Sequence, residues 1–262
     1  MKLSLFTNTT FTFDSQQSTQ YGLILVNLDT GEKHASFSIG REISEEKVKN
    51  NPIPYFFGVE EEPLYFTVTL AREDGEEWDY DTRVNVVKWL FQDEYKPFIS
   101  TDHPYIVFNC MIVERPEKIL IGNTFRLIEL TFRCDSPWAW SPFFINNYDL
   151  SDNESTQIIT MNNSSNIEKY NHPEIWIKSL DGGTISLKNT SDGGREFILN
   201  DLQVNETIYL NNKLKQIETD VPSVYRLKDF NRSWLRLRYG VNQIVVTGKC
   251  LIKTRTRFGM AI

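Results

Sequence analysis

Cysteine and histidine are scarce in this chain, at three residues each in 262. Cys110, Cys134 and Cys250 are odd in number and far apart, which excludes a disulfide framework and a Cys-x-x-Cys metal motif and predicts buried free thiols. His34, His103 and His172 have no acid or nucleophile in a recognisable relation to them, so neither a zinc site nor a triad is legible, and they read as surface or turn residues. No apolar run is long enough to span a bilayer, which predicts no membrane insertion. The opening MKLSLFTNTTFTF is broken by Ser4, Thr7, Asn8, Thr9 and Thr10 and does not read as a signal peptide; a soluble, cytosolically made protein is the expectation. The glycine pairs Gly182-Gly183 and Gly193-Gly194 open strand patterns rather than helices, so they are turns and not a phosphate loop. The acidic run Glu73–Asp81 fails as a calcium loop, because Val84 and Leu90 fall where glycine and a bidentate glutamate are required. No cofactor and no catalytic constellation are expected.

What the chain does have is apolar and aromatic content, 40% and 13%, enough for one large or two ordinary cores. Its charge is unevenly divided. Residues 1–141 hold 13 Lys and Arg against 22 Asp and Glu, a net of −9, whereas residues 142–262 hold 15 against 13, a net of +2. That asymmetry suggests two units with different surroundings, 1–141 and 142–262. The acidic half is a poor candidate for gripping nucleic acid.

Strand signals dominate. LYFTVTL (64–70) puts Leu64, Phe66, Val68 and Leu70 on one face, and TFRLIELTF (124–132) puts Ile128, Leu130 and Phe132 inward, as in half-buried antiparallel strands. Between them, DTRVNVVKWLFQ reads as one short amphipathic helix capped by Asp81, with Val84, Val87, Leu90 and Phe91 inward. Arg41–Glu62 shows neither period, and a connection that long in a compact domain is usually functional or ordered by a partner. Residues 143–156, rich in Asn, Asp and Ser, read as an exposed linker. Beyond them, short strands begin near Pro173, Gly183, Glu196, Glu206, Asn242 and Lys249 without a helix pattern, which indicates a β-sandwich or jelly roll. Arg236 and Arg238 alternate with Leu235 and Leu237, and Lys253, Arg255 and Arg257 repeat the pattern; such faces either grip an acidic partner or keep strands soluble.

The segment TFRCDSPWAWSP carries Trp138 and Trp140 two residues apart, pointing the same way in an extended chain, between Pro137 and Pro142. With PYFFGVEEEPLYFTVTLA and VNVVKWLF before it, and YNHPEIWIK, LKNTSDGGREFIL, ETIYLNN and YGVNQIVVTGKCLI after it, this order of elements resembles the distal tail (Dit-like) proteins of long-tailed, siphovirus-type bacteriophages.

The resemblance implies a mainly β fold with one short helix. Residues 1–141 are then a ring-forming, tail-tube-like β-sandwich or split barrel, and residues 142–262 a galectin-like β-sandwich or jelly roll. It implies a structural role as well: a homo-hexameric ring at the distal end of the tail tube, in the virion's tail tip, assembled in the host cytoplasm. The ring is a hub between the tail tube protein and the baseplate, the tail-associated lysin or fibre, and receptor-binding proteins. Genomic DNA passes through without specific binding, which would place acids such as Glu60, Glu61, Glu62, Glu76 and Glu77 on the lumen. Trp138, Trp140, Pro137 and Pro142 would form the joint between the halves, or else end one sheet as ordinary core residues. The alternative function is a carbohydrate-binding adaptor for host cell-surface glycans, with Trp176, Tyr209 and Trp234 as contacts.

Overall fold

Alternating burial along residues 65–72 and 124–134 builds the centre of a sheet, because each strand sends its apolar side chains to one face only. The computed structural model describes residues 10–26, 40–114, 117–121 and 124–262; His34 and residues 1–9 lie outside the described residues. Two compact units divide the chain: Met1–Ser141 together with Met260–Ile262, and Pro142–Gly259.

In the first unit the strands are β1 (Phe11–Phe13), β2 (Gln16–Gln17), β3 (Leu23–Val26), β4 (Arg41–Glu46), β5 (Tyr55–Glu61), β6 (Tyr65–Arg72), β7 (Lys96–Ser100), β8 (Phe108–Ile112), β9 (Glu117–Ile121), β10 (Thr124–Cys134) and β11 (Ala139–Trp140). An antiparallel sheet runs β2-β1-β7-β8-β10-β6-β3, with β9 also paired to β10, and curls into half a barrel. Its central register sets Phe66 opposite Phe132 and Val68 opposite Leu130. Phe11, Phe13, Phe98, Phe108 and Phe132 are fully buried at the centre of this core.

Helix α1 (Tyr80–Leu90) covers the core, but its start and its buried face differ from the sequence reading. The cap is Asp79 rather than Asp81: its carboxylate accepts the Thr82 N–H at 2.8 Å and the Thr82 hydroxyl at 2.7 Å. The buried residues are Val86, Trp89 and Leu90, while Val87 and Phe91 are exposed. Trp89 decides this orientation. Its indole N–H donates to the Phe13 carbonyl at 3.0 Å, and its ring stacks on Tyr21 at 4.2 Å. The largest side chain of the helix therefore faces in, and the face rotates to accommodate it.

In the second unit the strands are β12 (Phe144–Leu150), β13 (Thr156–Asn163), β14 (Glu174–Ser179), β15 (Gly183–Asn189), β16 (Arg195–Leu202), β17 (Thr207–Asn211), β18 (Gln216–Thr219), β19 (Gly240–Thr247) and β20 (Cys250–Thr256). Two antiparallel sheets, β12-β20-β14-β17-β18 and β13-β19-β15-β16, enclose one apolar core that includes Ile175, Leu187, Phe197, Leu210 and Val246. This is a β-sandwich, with no α-helix among the described residues.

The linker expected over 143–156 is overturned. Phe144–Leu150 pairs in unbroken register with Cys250–Thr256, and Thr156 already begins the next strand. As an edge strand it leaves most of its side chains in solvent, so its sequence carries little apolar alternation. The expectation of preferred cleavage across that stretch falls with it, because a paired backbone is a poor protease substrate.

All three cysteines are free and buried. Burial pushes the Cys134 and Cys250 thiols up to about 12, and Cys110 well above the ordinary range. We expect no reaction with a thiol reagent such as Ellman's at pH 8 in the native protein, and three thiols titrated in guanidinium. Fast native labelling of even one thiol contradicts this packing.

Candidate functional site

The segment Arg41–Glu62, which showed no period in the sequence, is a β-hairpin of β4 and β5 that forms a two-stranded sheet of its own. Ile43 sits opposite Val59 on one face, flanked by Arg41 opposite Glu61; Glu42 sits opposite Glu60 on the other face, next to Ser44 and Gly58. A bulge between Ser44 and Glu45 makes Phe57 an extra residue on β5. Beside it Gly58 has φ 150°, a conformation other residues rarely adopt.

No large apolar side chain of the hairpin reaches a core. Ile43, Val48, Ile53, Tyr55, Phe56, Phe57 and Val59 are all exposed, with Phe57 at 66% and Ile53 at 72%. Directly opposed carboxylates such as Glu42 and Glu60 destabilise a strand pair in isolation. The hairpin is thus apolar and ringed by acid, yet contributes nothing to the core of its own chain.

The acids singled out in the sequence fall on two elements. Glu60, Glu61 and Glu62 are on or beside β5, and Glu76 and Glu77 lie in the exposed loop before α1; all but the half-buried Glu61 are exposed. In that loop Arg72 pairs with Asp74 at 2.5 Å and with Asp79 at 2.6 Å. Hydrogen bonds hold both carboxyls below the usual range: Asp74 chiefly through Arg72, Asp79 chiefly through the Thr82 N–H. Trp78 is buried and donates to the Arg126 carbonyl at 2.9 Å, which pins the loop while Glu76 and Glu77 face solvent.

Trp138 and Trp140 come together, with ring centroids 5.9 Å apart in an edge-to-face arrangement. Trp140 exchanges backbone hydrogen bonds with Val107 at 2.7 and 2.8 Å, and its indole N–H donates to Asp135 at 3.1 Å. Both rings are half-buried, as are Pro137 and Pro142, while Ala139 between the rings is fully buried.

In the second unit Trp176 and Tyr209 are cross-strand neighbours with rings 5.0 Å apart. Trp234 does not join them. Its ring packs edge-on against Phe230 at 4.7 Å and against the sandwich core. Leu235 and Leu237 point inward, and the guanidinium of Arg236 is occupied by Asp192 at 2.8 Å and by the Tyr170 ring at 3.9 Å.

Sequence reasoning missed one charged pair altogether. Glu206 and Arg226 are buried together, and Glu206 also accepts from the Thr219 hydroxyl and the Gln203 N–H. No motif announces such a pair; only the strand ends that converge there do. Among the described residues, no group of three or more His, Cys, Asp or Glu is placed to hold a metal ion, and no helix is long and apolar enough to cross a membrane.

A half-barrel sheet with one helix, joined to a β-sandwich, is a fold shared with a solved tail protein. The crystal structure of the SPP1 Dit protein (gp 19.1), described as a paradigm of the hub adsorption apparatus in phages infecting Gram-positive bacteria, superposes with a TM-score of 0.68 at 14% identity, covering 96% of this chain and all of that one. Chains of the phage P2 baseplate in its activated conformation with calcium match less well, at a TM-score of 0.47 and 9% identity over 95% of this chain and 98% of that one. No curated protein sequence matches. Residues 6–136 match the family model of the phage tail protein N-terminal domain and residues 138–255 that of the phage tail C-terminal domain, and the chain belongs to this family of phage tail proteins.

Proposed function

We propose that this tail protein closes into a ring of six copies at the distal end of the tail tube. There it acts as the hub to which the baseplate, the tail-associated lysin or fibre, and the receptor-binding proteins attach after assembly in the host cytoplasm. The exposed apolar hairpin carries the reading. A monomeric soluble domain rarely leaves so many neighbouring large apolar side chains in water. Head-to-tail contact between identical subunits buries such a surface once per copy and closes when the rotation allows.

The same reading gives the acids a place. With Ile43 and Val59 against a neighbouring copy, the opposite hairpin face, Glu42 and Glu60, turns to the channel, and Glu76 and Glu77 add to its charge. Repeated in every subunit, a carboxylate wall repels DNA phosphates within about 8–10 Å at physiological salt, so the genome passes without being held. Trp138 and Trp140, flanked by Pro137 and Pro142, stiffen the chain where the first unit ends.

The test is electron microscopy and native mass spectrometry of the purified protein, alone and with the tube protein. Six-fold rings are the expected result, and monomer under both conditions overturns the reading. The ring should also leave duplex DNA unshifted in a low-salt gel, where a positively charged lumen would retain it.

A further inference from the structure

We propose that the outer face of the sheet β12-β20-β14-β17-β18 is a saccharide-binding site centred on Trp176. The register of the sheet builds it. Asn147 pairs with Lys253, Lys253 with Trp176, Trp176 with Tyr209, and Tyr209 with Glu218. Alternating burial along β14, β17 and β20 sends these side chains outward, while Ile175, Ile177, Ile208, Leu210 and Ile252 fill the core behind them. One transverse row thus places an aromatic pair between an amide and an amine on one side and a carboxylate on the other.

The groove over this row measures about 340 Å³ and is lined by Trp176, Lys178, Thr207, Lys253, Asn147 and Asp149, among others. That volume lies within the range of small-ligand sites. Trp176 is half-buried, with the Tyr209 ring at 5.0 Å and the Lys253 ammonium 5.3 Å from its ring centre. Beside the row, Arg255 is held by Glu174 at 2.7 Å, which fixes the edge of the platform.

The chemistry of the occupant follows from this mixture. Trp176, Leu251 and Tyr148 give the groove a small apolar floor, and Asn147, Asp149, Lys178 and Lys253 stand round it as single polar groups. A sugar ring presents an apolar C–H face and a rim of hydroxyls. Stacked on Trp176, it meets donors from Asn147, Lys178 and Lys253 and acceptors from Asp149 and Thr207. Lys178 and Lys253 are exposed, so their ammonium groups can reach hydroxyls or an acidic substituent alike. The exposed Lys253 side chain has the rotamer freedom to swing from the indole and admit the ring.

The experiment uses the full chain on an array of neutral hexoses, N-acetylhexosamines and uronic acids, with saturation-transfer NMR on the free monosaccharides. Retention on at least one class is expected, and Trp176→Ala should weaken it by about tenfold or more, the scale of one stacked ring. Trp176→Phe keeps a ring and should retain part of the binding; Lys253→Ala should reduce it several-fold. Thermal melting of each variant distinguishes a lost contact from a lost fold. The site is overturned if the native protein binds no saccharide in either assay, or if Trp176→Ala binds as tightly as the native chain. Loss of a tail-protein contact in place of a saccharide in the Trp176→Ala variant overturns it equally. None of these outcomes depends on ring formation.

Discussion

Replacing Arg226 by alanine should destabilise the sandwich unit by about 3–5 kcal/mol, because it strands a buried carboxylate. The Glu206 side chain is 0% exposed and that of Arg226 5%. Two guanidinium nitrogens donate to the carboxylate, at 2.8 Å and 2.5 Å, and a third serves Asp229 at 2.9 Å and the Asp201 carbonyl at 3.0 Å. Domains of this size are stable by about 5–15 kcal/mol in total, so the loss takes a large share. Replacing both partners, Glu206→Leu with Arg226→Met, should cost less than the single change, since the fully buried carboxylate leaves together with its cation and only Asp229, at 10% exposure, loses a partner. Denaturant unfolding of the three proteins decides it, and a single-variant loss below about 1 kcal/mol would place the pair among surface-like contacts.

The pair also sets a pH dependence. Burial alone raises the pKa of Glu206, but the hydrogen bonds from Arg226, the Gln203 N–H and Thr219 outweigh it, and the carboxyl sits below its ordinary value. A depressed carboxyl adds stability that is complete above the unfolded glutamate pKa and is lost as pH falls through the folded one. The sandwich should therefore hold its melting temperature at neutral pH and lose it in acid. Arg226→Ala removes the chief group that holds the Glu206 carboxyl down, so the variant's deficit should be largest at neutral pH and shrink as that carboxyl protonates in acid.

The second large effect is on assembly. Ile43→Ser with Phe57→Ser should convert rings to monomers without lowering the monomer's melting temperature. Both side chains are already exposed in the single chain, so the fold does not depend on them. Burying either against a neighbour contributes up to about 1.5–3 kcal/mol, before the entropy of association is deducted. Each tenfold of affinity is about 1.4 kcal/mol, so the double change removes one to several decades per interface. Light scattering at micromolar concentration reads this directly. A double variant that still runs as a ring shows that the hairpin is not the contact, whatever else holds the copies together. Glu42→Gln, by contrast, removes one of two opposed carboxylates and should leave the ring intact.

Legibility in the sequence followed burial. Residues 64–70 and 124–132, like the later strands, displayed their alternation because one face of each meets a core. The hairpin displayed none, because neither face does, and a segment without an inside has no period to read. Residues 143–156 looked like a linker because an edge strand with Asn146 and Asn147 owes its conformation to backbone pairing with β20. Asp79 and Asp81 are chemically equal as caps; the rotation imposed by Trp89 and the position of Thr82 separate them. Trp176 and Tyr209 were visible as strand aromatics that would serve equally as core or as contacts, and their pairing depends on a register that residue types alone do not specify. Glu206 and Arg226 stand twenty positions apart, and nothing but the converging backbone joins them.

The return of Met260–Ile262 to the first unit, with Met260 packed against its core, makes the sandwich an insertion within another fold rather than a successor to it. Truncation after Ser141 therefore removes part of the unit it is meant to isolate. A replacement that joins at 141/142 and again at 259/260 leaves the host unit whole. The sandwich is thereby exchangeable as a cassette with two seams, and any graft has to match both of them for the host unit to keep its core.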